Sequence, residues 1–310
     1  MPWHQYGKVF ESDGGKAWSR SHTQTPSALV LQDRIRVYYA TRNAENRSVI
    51  SFADFDRKDP TRLIAAHDAP VLNVGEPGTH DEDGVIAGCL IDRGDRLYMY
   101  YTGISRGGNV PYRMAVGLAV SRDGGVTFER MFEGPVVDRT RLEPHMTMAP
   151  NVLKTKDGWR MWYGSGIKWV SVEDKFEPVY VIKTATSADG ETWLQPNVTS
   201  LTQAFPREAI TRPAVLPTPT GFEMWYCHRD SENYRDGAGS YRLGYATSTD
   251  GVSWVRENDP PELAPAGEGW NSVAMAYCSV VVVDGRKVMY HNGDGFGRTG
   301  FGCAIWSDAA

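Results

Sequence analysis

Several things are missing from this chain of 310 residues, and each absence removes a class of function. Apolar runs such as "SVVVVDG" are strand-sized and stay far below the ~20 residues that a membrane-spanning helix needs. Cysteine is scarce. Cys89, Cys227, Cys278 and Cys303 lie far apart with no C-x-x-C pair, so no zinc or other metal motif is expected, and buried thiols in a reducing cytoplasm are. Basic residues are in the minority, with 33 Lys and Arg against 38 Asp and Glu and a net charge of -5. That leaves no broad positive field for a nucleic-acid backbone. The opening "MPWHQYGKVF" has no basic segment followed by an apolar run, so no secretory leader is expected and the reading is cytoplasmic. "GDGFGRTG" is rich in glycine but follows a hairpin and opens no helix, so neither a phosphate cradle nor a cofactor is expected from it.

What is abundant points to strands. The chain has 10 Trp, 15 Tyr, 10 Phe and 32 Gly, which suits many short strands joined by tight turns. A motif recurs at intervals of roughly sixty residues: "VSRDGGVTFER", "TSADGETWLQ" and "TSTDGVSWVR". Ahead of it recurs a hairpin, as "PSALVLQDRIRVYYATR", "GVIAGCLIDRGDRLYMYYTG", "APNVLKTKDGWRMWYGSG", "RPAVLPTPTGFEMWYCHRD" and "YCSVVVVDGRKVMYHNGDG". A third strand follows most hairpins, and the Asp-Gly turn leads to a short fourth. Four strands per unit and five units predict an all-β fold, a five-bladed β-propeller, as a single domain over residues 1–310. The last unit, "GFGCAIWSD", runs out before a fourth strand, and the N-terminal "HQYGKVFES" is expected to supply it and close the ring. The "SDGGKAW" from Ser12 is expected to stand where other units carry their Asp-Gly turn. These turns read as structural: Asp accepts from backbone amides, Gly takes a positive φ, and the aromatic packs between units.

In a propeller the segments that enter the innermost strands converge on one face. Here these are "RSHTQT", "THDEDGV", "LEPHMTM", "REAITR" and "EGWNSVAMAY". The turns at Arg42, Arg106, Lys168 and Trp169, His228 and Arg229, and Asn292 to Arg298 open on the same face.

The pattern resembles the five-bladed glycoside hydrolase clan of arabinanases, xylosidases, invertases and levansucrases, together with mannoside phosphorylases. "DEDGVIAGCL", "RMAVGLAVSRDGGVTFER", "RMWYGSGIKW" and "NGDGFGRTGFG" resemble a group of bacterial glycosidase-like propellers associated with surface-polysaccharide genes. The resemblance implies acids on the entering segments, acting as base or nucleophile, as pKa modulator and as general acid. Such chemistry needs two carboxyls ~5–5.5 Å apart for retention or ~6.5–9.5 Å for inversion. Asp83 and Glu143 are the preferred pair, with Glu208 in reserve. The first unit departs from the pattern: it offers Thr-Gln-Thr before Pro26 in place of an Asp, so the base would have to be Asp83, Glu208 or His22. Substrate contacts are expected from Arg42, His145, Lys168, Trp169, Arg212, His228, Trp270, Tyr277, Asn292 and Arg298. A buried Arg212 must find an anion or carbonyls, and the aromatics suit either sugar stacking or packing between units. Two functions follow. One is a glycosidase-like enzyme acting on a small-molecule or oligosaccharide substrate. The other is a non-hydrolytic propeller that binds a glycan or runs another acid–base reaction, favoured by the missing Asp. Oligomeric state and substrate identity are not written in the sequence.

Overall fold

Strands form wherever β-branched and aromatic residues lie between Gly, Asp and Pro turns. They supply nearly all regular structure in the computed structural model, which describes residues 3–235, 237–257 and 263–306. β1 (Trp3–Phe10) comes first and is paired with the last strand of the chain. Next is an antiparallel set of β2 (Ser21–Val30), β3 (Arg34–Arg42), β4 (Ser48–Asp56) and β5 (Leu63–Ala66). The second set is β6 (Gly84–Asp92), β7 (Leu97–Arg106), β8 (Tyr112–Ser121) and β9 (Glu129–Arg130). The third is β10 (Thr147–Thr155), β11 (Gly158–Val172), β12 (Lys175–Ser187) and β13 (Leu194–Leu201). The fourth is β14 (Glu208–Thr218), β15 (Gly221–Asp230), β16 (Arg242–Ser248) and β17 (Val255–Arg256). The last joins β18 (Ala276–Val283), β19 (Arg286–Asn292) and β20 (Phe301–Trp306) to β1, in the order β1-β20-β19-β18. A single parallel bridge, Ser48 to Gly84, links the first two sets into one eight-stranded sheet. Ser307 and Asp308, the end of the last strand read from the sequence, lie outside the described residues.

The first strands pack on one another in the order β2, β6, β10, β14, β18 and back to β2. Apolar cores fill the spaces between neighbouring sets. Tyr38, Ile50 and Phe52 meet Val85, Met99 and Tyr101, for example, and Trp162 and Ile182 meet Ile210, Met224 and Tyr226.

The recurring Asp-Gly motif is a latch between sets. Asp123, Asp189 and Asp250 each accept two backbone amides of their own turn. The turn carbonyl then receives a donor from the second strand of the preceding set. Tyr38 donates to Gly125 O at 2.8 Å, Tyr100 to Gly190 O at 2.6 Å, and Trp162 Nε1 to Gly251 O at 2.8 Å. The motif aromatics Phe128, Trp193 and Trp254 meet those same donors edge-on, with ring centroids 5.7, 5.9 and 6.0 Å apart. Gly125 has φ +84 and stands so close that a Cβ there would lie 2.1 Å from the Tyr38 hydroxyl. Tyr290 of the last set repeats the bond to Pro60 O of the first, at 2.9 Å.

One expectation is corrected. The "SDGGKAW" turn follows β1 and leads into β2, so it does not join the third and fourth strands of a set. The third and fourth strands of the last set come from opposite ends of the chain, so no turn connects them. Trp225, which occupies the donor position of the fourth set, packs edge-on against Trp3 of β1 at 5.6 Å instead.

Candidate functional site

Each first strand carries a one-residue bulge near its start. Register shifts occur at Gln24/Ser27, Ala87/Cys89, Met148/Asn151, Thr211/Ala214 and Ala276/Ser279. Thr25, Ala149, Arg212 and Tyr277 take positive φ there, of 56°, 51°, 54° and 54°. Such values are strained for residues with a Cβ, and they mark where the strands bend around their shared centre. Arg212 spans that centre. Its Nη1 donates to Ala87 O and Gly88 O at 3.0 and 2.9 Å, and its Nη2 to Pro26 O and Ser27 Oγ at 2.8 and 2.7 Å. The guanidinium therefore staples β14 to β2 and β6, with no carboxylate among its hydrogen-bond partners. On one side of it lies a cavity of about 270 Å³, lined by Ser27, Gly88, Asn151 and Ser279 with the apolar side chains that follow the bulges. The Nε of Arg212 and the hydroxyls of Thr25 and Thr211 are buried without a hydrogen-bond partner among the described residues.

The acids on the entering segments do not face this centre as free carboxylates. Glu143 is 1% exposed; it accepts from Tyr163 at 3.0 Å and from Ser165 at 2.7 Å, and lies 3.5 Å from Lys183 Nζ. Asp81, two residues ahead of Asp83, is fully buried and accepts from Tyr101 at 2.9 Å and from Arg130 at 2.8 Å. Glu208 is 1% exposed and held by both Nη atoms of Arg256, at 3.0 and 2.7 Å, and by His228 Nδ1 at 3.0 Å. Burial pushes the Glu208 carboxyl up, but the hydrogen bonds from His228, Arg256 and the Ala204 amide outweigh it and hold its pKa at about 2. The three acids follow one scheme. Each lies at the start of its first strand or just ahead of it, beside a tyrosine of the second strand and a cation supplied later in the same set. The sequence carries a signal for this in the repeated spacing of twenty residues from Asp81 to Tyr101 and from Glu143 to Tyr163.

Asp83 differs from these acids. It precedes β6, accepts the Arg106 amide at 2.8 Å, and has Arg106 Nε at 3.4 Å and Arg47 Nε at 3.9 Å. Its carboxylate and that of Glu143 thus belong to separate clusters with no shared partner.

The remaining candidates fall into three groups. His22, Arg42 and Arg298 come together. Ser21 pairs with Arg42 in register, Arg42 Nε donates to Gln24 Oε1 at 3.2 Å, and the segment after β19 folds back over Thr23 and Gln24. Burial, then the charges of Arg42 and Arg298, depress the His22 imidazole to about 4. At neutral pH His22 is uncharged and a weaker base than the near-neutral imidazole sought from the sequence.

Trp169 belongs to a second group. It meets Tyr112 edge-on at 5.7 Å beside Met114, Met146 and Met148, with Lys168 next to it on β11 and half-buried His145 on the entering segment. Tyr277 packs against Tyr241 at 5.1 Å, and burial holds its phenol well above the ordinary value.

The third group is structural. Asn292 accepts the Thr25 amide and donates to Thr23 O and Gly300 O. Trp270 stacks on His291 at 5.3 Å in a slot left by Gly293 and Gly302. His228 is bound to Glu208, and it also lines a cleft of about 390 Å³ beside Arg207, Asp230 and Glu232. No group of three His, Cys, Asp or Glu with metal-holding geometry occurs among the described residues.

Comparison with known proteins adds two findings. The uncharacterized protein Rv1502 of Mycobacterium tuberculosis is 32% identical over 307 residues, covering 98% of this chain and 99% of its own length; MT1551 of another strain matches equally. Among solved structures, a glycoside hydrolase superposes with a TM-score of 0.77 at 16% identity, over 99% of this chain and 92% of that one. A thermostable family-43 glycoside hydrolase gives 0.68 at 17% identity, over 94% and 92%. A third structure belongs to the GH130 family of mannoside phosphorylases, which contains glycoside hydrolases that target β-1,2 mannosidic linkages in Candida mannan. It gives 0.67 at 16% identity, over 99% and 95%. No family model matches the chain. The chain shares the fold of these glycoside hydrolase structures.

Proposed function

Since the chain belongs to the same family as Rv1502 and MT1551 and has the glycosidase-like all-β fold, we propose that it is a carbohydrate-active protein. In this reading the five strand sets are five blades, the pairing of β1 with β20 closes their ring, and a sugar ligand enters the funnel on the face where the first strands begin. Trp169, Tyr112 and Tyr277 supply apolar faces for the ligand, while Lys168, His145 and Arg42 supply donors to its hydroxyls.

The observation that carries the reading of the chemistry is the state of the acids. The bulges that meet around Arg212 bear Thr25, Gly88, Ala149, Arg212 and Tyr277, and none of these is a carboxylate. Asp81, Glu143 and Glu208 are each spent on a cation and a hydroxyl or ring partner. A two-carboxylate hydrolysis needs one protonated and one free acid flanking the anomeric carbon. Glycan binding, or acid–base chemistry that needs only one group, fits the geometry better. The hydrolytic reading keeps one supporting observation: Asp83 lies near the mouth with its carboxylate partly open.

Calorimetry with oligosaccharides and aryl glycosides, run beside a reducing-sugar assay, tests this. Binding without release of sugar is the expected result. Turnover that Glu143→Gln or Asp83→Asn abolishes while the fold is kept would restore the carboxylate mechanism.

A further inference from the structure

Most partly buried arginines of this protein are matched. Arg36 meets Asp54, Arg130 meets Asp81 and Arg256 meets Glu208, while Arg212 and Arg229 are filled by carbonyls and hydroxyls. Arg42 lacks such a match. It is half-buried at the end of β3, and its hydrogen bonds go to the neutral Gln24 Oε1 and Asn46 Oδ1, both at 3.2 Å. A guanidinium has five N–H groups, so most of its donors remain without an acceptor among the described residues.

Two further nitrogen-bearing side chains belong to the same region, the neutral His22 and the cationic Arg298. His22 sits next to the residue paired with Arg42; its φ is +65°, and its Nδ1 is 2.9 Å from Ser21 Oγ, which leaves Nε2 free to donate or accept. Arg298 arrives from the other end of the chain. Asn292 ties its segment to Thr23 O, and Gly297 lies so close that a Cβ there would stand 2.8 Å from Gln24 Cα. Arg298 is exposed and makes no side-chain hydrogen bond among the described residues. The charges of Arg42 and Arg298 help to lower the His22 pKa, and among the described residues no carboxylate forms a hydrogen bond or ion pair with His22, Arg42 or Arg298. Two guanidinium groups in one region without a paired acid repel each other, and a bound anion would relieve that repulsion.

We propose that His22, Arg42 and Arg298 form an oxyanion site at the mouth of the funnel, which takes a carboxylate or phosphate group. The site rests on the sugar-binding reading only in naming the carrier: a uronate or a sugar phosphate presents such a group, and inorganic phosphate presents it free. The planar forks of Arg42 and Arg298 match the oxygens of either group, and His22 Nε2 supplies a third contact.

Calorimetry with D-glucuronate, glucose 1-phosphate, inorganic phosphate and a neutral methyl glucoside tests the site. The proteins compared are the wild type, Arg42→Gln, Arg298→Gln and the remote exposed Arg286→Gln. At least one anion is expected to bind, about tenfold more weakly in Arg42→Gln and in Arg298→Gln and unchanged in Arg286→Gln, with affinity falling as salt rises. Preference for a sugar-borne anion supports the site and the sugar reading together. Inorganic phosphate binding as tightly as glucose 1-phosphate supports the site with the free anion as its ligand. Anion binding by the site while no neutral sugar or oligosaccharide binds would sustain the site and remove the sugar reading. Neutral sugars binding while none of the anions does, or anion affinity indifferent to both substitutions, overturns the site. Arg298 is exposed, so Arg298→Gln decides the matter even if Arg42→Gln loses its fold.

Discussion

Arg212 illustrates how little a residue's type says about its task. Its position ahead of Pro213 at a strand start is visible in the sequence, and a buried guanidinium needs acceptors in any fold. Whether those acceptors belong to a ligand or to the protein depends on strands more than a hundred residues away, at Pro26, Ala87 and Gly88. In the structure they belong to the protein. Arg212→Met should take the guanidinium donor from Pro26 O, Gly88 O and Ser27 Oγ, while Ala87 O keeps the Ser27 hydroxyl, at ~1–3 kcal/mol for each group left unpaired. We expect urea unfolding to show a loss of at least ~3 kcal/mol with the m-value kept. A midpoint equal to wild type would mean that water replaces the guanidinium at no cost. Glu143 and Glu208 teach the same lesson. Their place on entering segments was legible, but their neutralisation by Lys183 and Arg256 was not, because those partners lie forty and forty-eight residues further on.

At the scale of the strand set, the recurring motif is the part of the chain that sequence reading resolves best. The Ser-Asp-Gly turn and its aromatic follow from local chemistry, since Asp accepts the amides two to four residues on and Gly adopts the φ that closes the turn. What local chemistry does not reveal is the partner. Tyr100 reaches across to Gly190 O and meets Trp193 edge-on, so the turn of one set is clasped by the strand of another. Tyr100→Phe keeps the aromatic packing and removes only the donor. The expected outcome is a loss of ~1–2 kcal/mol, with faster amide exchange at Glu191 and Thr192, whose amides Asp189 holds. Exchange and stability unchanged from wild type would show that the clasp is packing alone.

For the whole molecule, β1 matters more than its size suggests. It covers the outer edge of β20, and without it the row Phe301, Cys303 and Ile305 would border an unpaired strand. A chain lacking residues 1–10 should scatter light in a concentration-dependent way and bind an amyloid dye, whereas the full chain should not. A truncated chain as soluble and as stable as the full one would show that the pairing of the two ends is dispensable.

The sequence by itself determined the all-β class, the hairpins, the latch turns and the joining of the two ends, because each depends on residues adjacent in the chain or on a pattern that repeats along it. The tertiary structure alone decided which charges meet. It closed Asp81, Glu143 and Glu208 into ion pairs, filled Arg212 with carbonyls, and left His22, Arg42 and Arg298 with no acid paired to them among the described residues. Electrostatic partnership depends on distance in space and on burial, and a linear sequence records neither.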